Sequence, residues 1–202
     1  MNSLPTANLK PQSVEHSLSL AQSRSLDLGD AENDPKGSAE LSRLELTATA
    51  YHEAGHAVIA VSLGRPVEKV TIASGNSSLG MARLGVCKIQ KGRSKATKDW
   101  LEDEVLILFA GMVAESNFTD QYCQEGAAQD LQAIRRLLST RVGKERQRER
   151  LENRLLDKTE YLLGEDVHAL AVKLVAEELL MKTTISGRAV EHFFRMAQQQ
   201  AS

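Results

Sequence analysis

Apolar and polar positions divide the chain into a polar beginning and a long, mainly helical remainder. Residues 1–40 are rich in Ser, Asn, Asp, Gln and Pro and hold no sustained hydrophobic period. They read as a disordered tail, because too little apolar surface is available to offset the entropy of ordering. From residue 41 to residue 63 the chain has good helix formers and no proline, and it stops at Gly64 with Pro66 just behind, as a helix end does. High β-branched content at 67–72, a Gly75-Asn76-Ser77-Ser78 turn and a second strand over 79–89 predict a small hairpin.

Helical period returns over 97–118, where Val105, Leu108, Phe109, Met112 and Val113 recur at three- and four-residue steps. Trp100 and Phe109 read as core or interface anchors. After a connector at 119–125, a third helix is expected over 126–142, with Leu131, Ile134, Leu137 and Leu138 as its stripe. Helices over 151–163, 165–181 and 186–199 complete the chain, broken at Gly164 and at Thr183-Thr184, with Ser186 capping the last. The stretch 141–152 alternates charges and reads as a solvated helical surface. The expected fold class is therefore mainly α with a small β-sheet (α+β), as a domain over 41–202 behind the 1–40 tail.

Composition sharpens this picture. With 25 basic against 27 acidic side chains in 202 residues, no global field draws the chain to nucleic acid or anionic membrane. Aromatic residues at 4% leave no base-stacking surface and point to a Leu, Ala and Val interior. Cys87 and Cys123 fit no zinc-ribbon or redox spacing and cannot make a disulfide scaffold, so a reducing, cytoplasmic setting is expected. The longest apolar stretch, 54–63, is roughly half the ~20 residues that span a bilayer, and the N-terminus has no secretory pattern.

The chemistry lies in the first helix, at His52-Glu53-Ala54-Gly55-His56. Residues four apart stand one above the other on a helix face, so His52 and His56 can bind one metal ion. Glu53 is about 100° round the helix, close enough to serve a metal-activated water without being a ligand. Neutral imidazoles suit Zn²⁺ and leave its charge largely intact, and an adjacent carboxylate is the natural general base for attack on a peptide carbonyl. Gly55 costs helix stability by ~1 kcal/mol and implies that something packs closely there. A catalytic zinc site wants a third protein ligand; Glu115, Cys123, Glu125, Asp130, His168 and His192 are candidates among which spacing does not choose.

These residues, with Val67-Glu68-Lys69-Val70-Thr71-Ile72, Leu79-Gly80, the 108–115 segment around Ala110-Gly111 and Gly126-Ala127-Ala128-Gln129-Asp130-Leu131, resemble the peptidase domain of the FtsH-type AAA zinc proteases. The resemblance covers about residues 47–196, without the ATPase module or transmembrane segments of that family. It implies Asp130 as the third zinc ligand. It also implies that a strand beside the site pairs with an extended peptide, at Val70, Thr71 and Ile72 or at Leu79 and Gly80. Departures occur at Ala110 to Ser116 and at Gln124-Glu125, segments that bear on subunit contacts and substrate handling in the family.

The functional expectation is a stand-alone, ATP-independent zinc endopeptidase acting on unfolded polypeptides. His52, His56 and Asp130 hold the metal, and Glu53 is the base. The alternative is a non-enzymatic zinc-binding or adaptor module that associates with a full-length FtsH-type protease. Expected partners are a polypeptide substrate and either further copies of the chain, as a dimer or hexamer, or a separate ATPase, with no nucleic acid and no membrane span.

Overall fold

The computed structural model describes residues 35–76, 82–90, 92 and 95–201. The expected tail falls almost wholly outside the described residues, as do Leu79 and Gly80. Among the described residues, six helices and three strands follow in the order α1 (Pro35–Ser62), β1 (Val67–Asn76), β2 (Ala82–Ile89), α2 (Trp100–Thr119), α3 (Ala128–Arg141), α4 (Glu145–Gly164), α5 (Asp166–Lys182), β3 (Thr184–Ser186) and α6 (Gly187–Gln200). A mainly α chain with a small sheet is thus what the sequence forms. No described helix is long and apolar enough to cross a membrane.

α1 ends in a glycine-centred cap. Gly64 takes φ +75°, a left-handed value that costs glycine nothing, and the Arg65 and Gly64 amides donate to the Ala60 and Val61 carbonyls at 2.8 and 3.0 Å. α2 begins three residues later than its period suggests, because Asp99 accepts from the Leu101 and Glu102 amides at 3.2 and 3.1 Å and so caps the helix. Arg141, at the end of α3, grips the same carboxylate, and with the two amides holds it low, at about 2. This ties the start of α2 to the far end of α3.

The core is built around α1 and α2. Ala50, Ala54, Ala57, Val58 and Ile59 from one, and Val105, Leu106, Phe109, Ala110 and Val113 from the other, are essentially inaccessible to solvent. Gly55 explains the close approach: a Cβ there would stand 2.6 Å from the Ala114 Cβ and nearer still to the Ala110 carbonyl oxygen. Trp100 is not core; it is 58% exposed. The charged stretch 141–152 is also not one helical surface, since Val142 is extended and α4 starts only at Glu145.

The sheet order is β2-β1-β3, antiparallel throughout. β3 was not expected; three residues are too few to show a period, and Thr183-Thr184 read as a break. It is held by long-range pairing, Lys69 with Ser186, Val70 with Ile185 and Thr71 with Thr184, with a 2.7 Å bond between the two threonine hydroxyls. The Ile72 amide donates to the Thr183 carbonyl at 2.9 Å. This arrangement corrects the expectation for Val70, Thr71 and Ile72: β1 is central there, with β2 on one side and β3 or its approach on the other, so its edge is not open to a peptide. Val70 and Ile72 are moreover buried in the core.

Candidate metal centre

His52, Glu53 and His56 are buried although polar, at 8, 5 and 7% exposure. Burial of three such side chains requires partners. The His56 Nδ1 lies 2.7 Å from the Ile107 carbonyl oxygen, which can only accept, so that nitrogen carries the proton. The His52 Nδ1 lies 2.8 Å from Oε2 of Glu115 and donates to it. Both Nε2 atoms are thereby turned the same way, towards Oδ2 of Asp130, at 3.2 Å from His52 and 3.3 Å from His56.

Asp130 comes from the first turn of α3, whose preceding residue, Ala127, supplies no side-chain cap. A carboxylate in the first helical turn is favoured by the orphan amides there. Here it also faces the two imidazoles. Burial pushes the Asp130 carboxyl up, but His52 and His56 outweigh it and hold it well below the usual carboxylate range. Burial pulls the His52 imidazole down, and Asp130 and Glu115 reverse this, raising it to about 9.

This donor set fits a metal ion. With the Nδ1 protons committed, a neutral His52 and a neutral His56 would aim two lone pairs at a carboxylate oxygen, an arrangement that needs a cation between them. The elevated His52 value is the proton filling that role. Two ligands about 2.05 Å from zinc at a tetrahedral angle are about 3.3 Å apart, the separation seen between each imidazole and Asp130. The three ligand atoms all lie within 4.8 Å of one another. Gly111 shapes the wall: a Cβ there would stand 2.6 Å from the His52 Nε2 and closer to the His56 Nε2.

Of the candidates for a third ligand, only Asp130 joins the two histidines. Glu115 instead orients His52 from behind. Cys123 and Glu125 are exposed in the connector before α3, and the Cys123 sulfur accepts from the Gly126 amide at 3.3 Å. His168 is buried in α5 against Glu165 and Phe194, and His192 is exposed on α6.

Glu53 faces the sheet. A Cβ on Gly85 of β2, whose φ is +98°, would stand 2.7 Å from the Glu53 Oε1. Cys87, two residues on, feels the same site: burial raises its thiol well above its ordinary value, and the charges of Glu53 and Asp130 add to this. Gly85 was not singled out from the sequence, and Gly111 only as part of the segment that carries the resemblance, without a place at the site. The signal was present, as each is a glycine inside a regular element, but only packing reveals what each glycine makes room for.

Comparison with known proteins gives the family. The model of Peptidase family M41 matches residues 39–161. The chain is similar to the ATP-dependent zinc metalloprotease FtsH of Protochlamydia amoebophila, 38% identical over 109 residues that are 53% of this chain and 12% of the relative. It is likewise similar to that of Magnetococcus marinus, 40% identical over 101 residues (48% of this chain, 14% of the relative). For that of Ruminiclostridium cellulolyticum the identity is 30% over 136 residues (65% and 21%). The matched region is thus about an eighth to a fifth of the length of these relatives. With its matched region holding α1 to α3 and both strands of the hairpin, this chain belongs to Peptidase family M41.

Proposed function

We propose that the chain is a zinc-dependent endopeptidase that cleaves unfolded or extended polypeptides without ATP. The observation that carries this reading is the convergence of the His52 Nε2, the His56 Nε2 and the Asp130 Oδ2, with Glu53 buried beside them. When bound by those three residues, zinc supplies a Lewis acid that polarises the scissile carbonyl and acidifies a water.

The remaining chemistry belongs to the chain. Ile107 and Glu115 keep the imidazole protons on Nδ1, so that Nε2 stays available on both histidines. The Glu53 carboxylate takes the proton of the attacking water and passes it to the departing amine nitrogen. Its position is held by the α1 backbone on one side and Gly85 on the other. The extended peptide pairs along the outer edge of β2, which has no strand partner among the described residues and carries Gly85 past Glu53.

The test is recombinant protein, zinc-loaded and nucleotide-free, given a fluorescently quenched unfolded protein. Cleavage is expected, with about one zinc per chain, and Glu53→Gln should keep the zinc while losing at least ~100-fold in rate. Zinc-loaded protein that leaves every unfolded substrate intact, or a Glu53→Gln variant as fast as the parent, refutes the reading.

A further inference from the structure

We infer that the cavity beside Glu115 is a specificity pocket for a basic side chain, lysine or arginine, of the polypeptide substrate. This rests on the peptidase reading above. The cavity has a volume of about 540 Å³, within the ~300–1,000 Å³ of ordinary ligand pockets. It forms where the last turns of α2 pass into the connector that leads to α3, and Glu115, Thr119, Gln121, Tyr122, Gln124 and Glu125 line it. Its position ties it to the metal centre. The Glu115 carboxylate in its lining is the group that receives the His52 proton at 2.8 Å, and the connector residues that line it lead through Gly126 to Asp130. A side chain seated against Glu115 is one imidazole ring removed from the metal-binding Nε2 of His52.

The lining selects the sign of the occupant. It contains two carboxylates and no Lys, Arg or His. Its hydroxyls are already committed: the one Thr119 proton is shared between the Glu115 and Gln121 carbonyls, at 3.0 and 2.9 Å, and Tyr122 donates to Glu160 at 2.5 Å. The Tyr122 hydroxyl is pushed up to about 12, by burial first and then by Glu160 and Asp157, which places two further carboxylates behind that wall. The two cations nearest to Glu160 along its helix, Arg154 and Lys158, both reach Glu102 instead, at 3.4 and 2.6 Å. Glu115 and Glu160 have their partners in His52 and Tyr122, but the lining supplies no cation for Glu125. A lysine or arginine side chain brings donors to Glu125 and to the glutamine carbonyls, whereas an acidic side chain meets the repulsion of the lining carboxylates.

The experiment compares peptides that differ at one residue beside the cleaved bond, Lys, Ala or Glu. Cleavage of the zinc protein gives kcat/KM for each, and fluorescence anisotropy with the Glu53→Gln protein gives their affinities without turnover. The lysine peptide should exceed the glutamate peptide about tenfold in both measurements. Glu125→Lys should reverse the order, and Glu125→Asp should keep it. An order that is the same for parent and Glu125→Lys overturns the pocket assignment, even if the protein is an active peptidase. A preference that follows Glu125 in binding, with no cleavage of any peptide, sustains the pocket and refutes the peptidase reading instead.

Discussion

Gly111→Ala is the sharpest single test of the metal centre. The new methyl would stand 2.6 Å from the His52 Nε2, whereas ordinary contact begins at 3.4 Å, so the ring must retreat by at least about 0.8 Å. His56 must move as well, since its Nε2 is nearer still. Neither ring has slack, because each is tied through Nδ1, to Glu115 at 2.8 Å and to the Ile107 carbonyl at 2.7 Å. Metal–ligand distances tolerate about 0.2 Å, so a displacement several times larger removes productive geometry from both imidazoles.

Disturbing only the support of a ligand costs about 10–100-fold in metal affinity, and moving two ligands should cost at least the upper figure. A 100-fold loss removes about 2.7 kcal/mol of zinc-dependent stabilisation, on top of about 1–3 kcal/mol of overpacking in the metal-free protein. Competition against a chromophoric chelator measures the first quantity, and thermal unfolding with and without zinc measures both. Gly164→Ala is the control, as a Cβ there meets nothing within 4 Å. A Gly111→Ala protein that binds zinc within threefold of the parent would show that the histidines are not held as described.

Three further outcomes follow from the same geometry. Glu115→Gln should weaken zinc about 10–100-fold while leaving the fold intact, read by the same chelator competition. Gly85→Ala should preserve zinc but slow cleavage, because its methyl displaces the Glu53 carboxylate rather than a ligand, and left-handed φ adds strain of about 1 kcal/mol; equal kcat with weaker zinc would contradict it. In metal-free protein, His52 is raised from 6.5 to about 9, so its stabilisation is complete below about pH 6.5 and is lost as pH rises through 9. Asp130 is lowered, so its contribution is present above pH 3.8 and disappears only at greater acidity. Chemical denaturation of the zinc-free protein should therefore show falling stability between pH 6.5 and 9, and zinc should bind with release of about one proton over that interval.

Much of the fold was legible in the sequence because helical period and helix punctuation are local. Gly64 ended α1 for the reason a glycine does, and Ser186 caps α6 by accepting from the Ala189 amide. β3 was not legible, since its three residues form a strand only through partners in β1. Without β3, the sequence leaves β1 free on one side at Val70, Thr71 and Ile72, which β3 and Thr183 cover in the fold. At the site, the four-residue spacing of His52 and His56 is an in-helix relation and shows in the sequence directly. Glu115 could not be assigned its part from spacing: a carboxylate 63 positions away in the chain has no pattern that separates a ligand from a group holding the ligand's other nitrogen.

β3 also gives the molecule an order of events during synthesis. His52, His56 and Asp130 have all been made before α4, α5 and β3 follow, so the metal-binding residues can gather while β1 still has one side uncovered. Until Thr184 reaches Thr71, that bare side is a template for any other extended segment nearby. A nascent chain of this protein is therefore open to mispairing from the time β1 emerges until β3 has been made, and β3 acts as its seal.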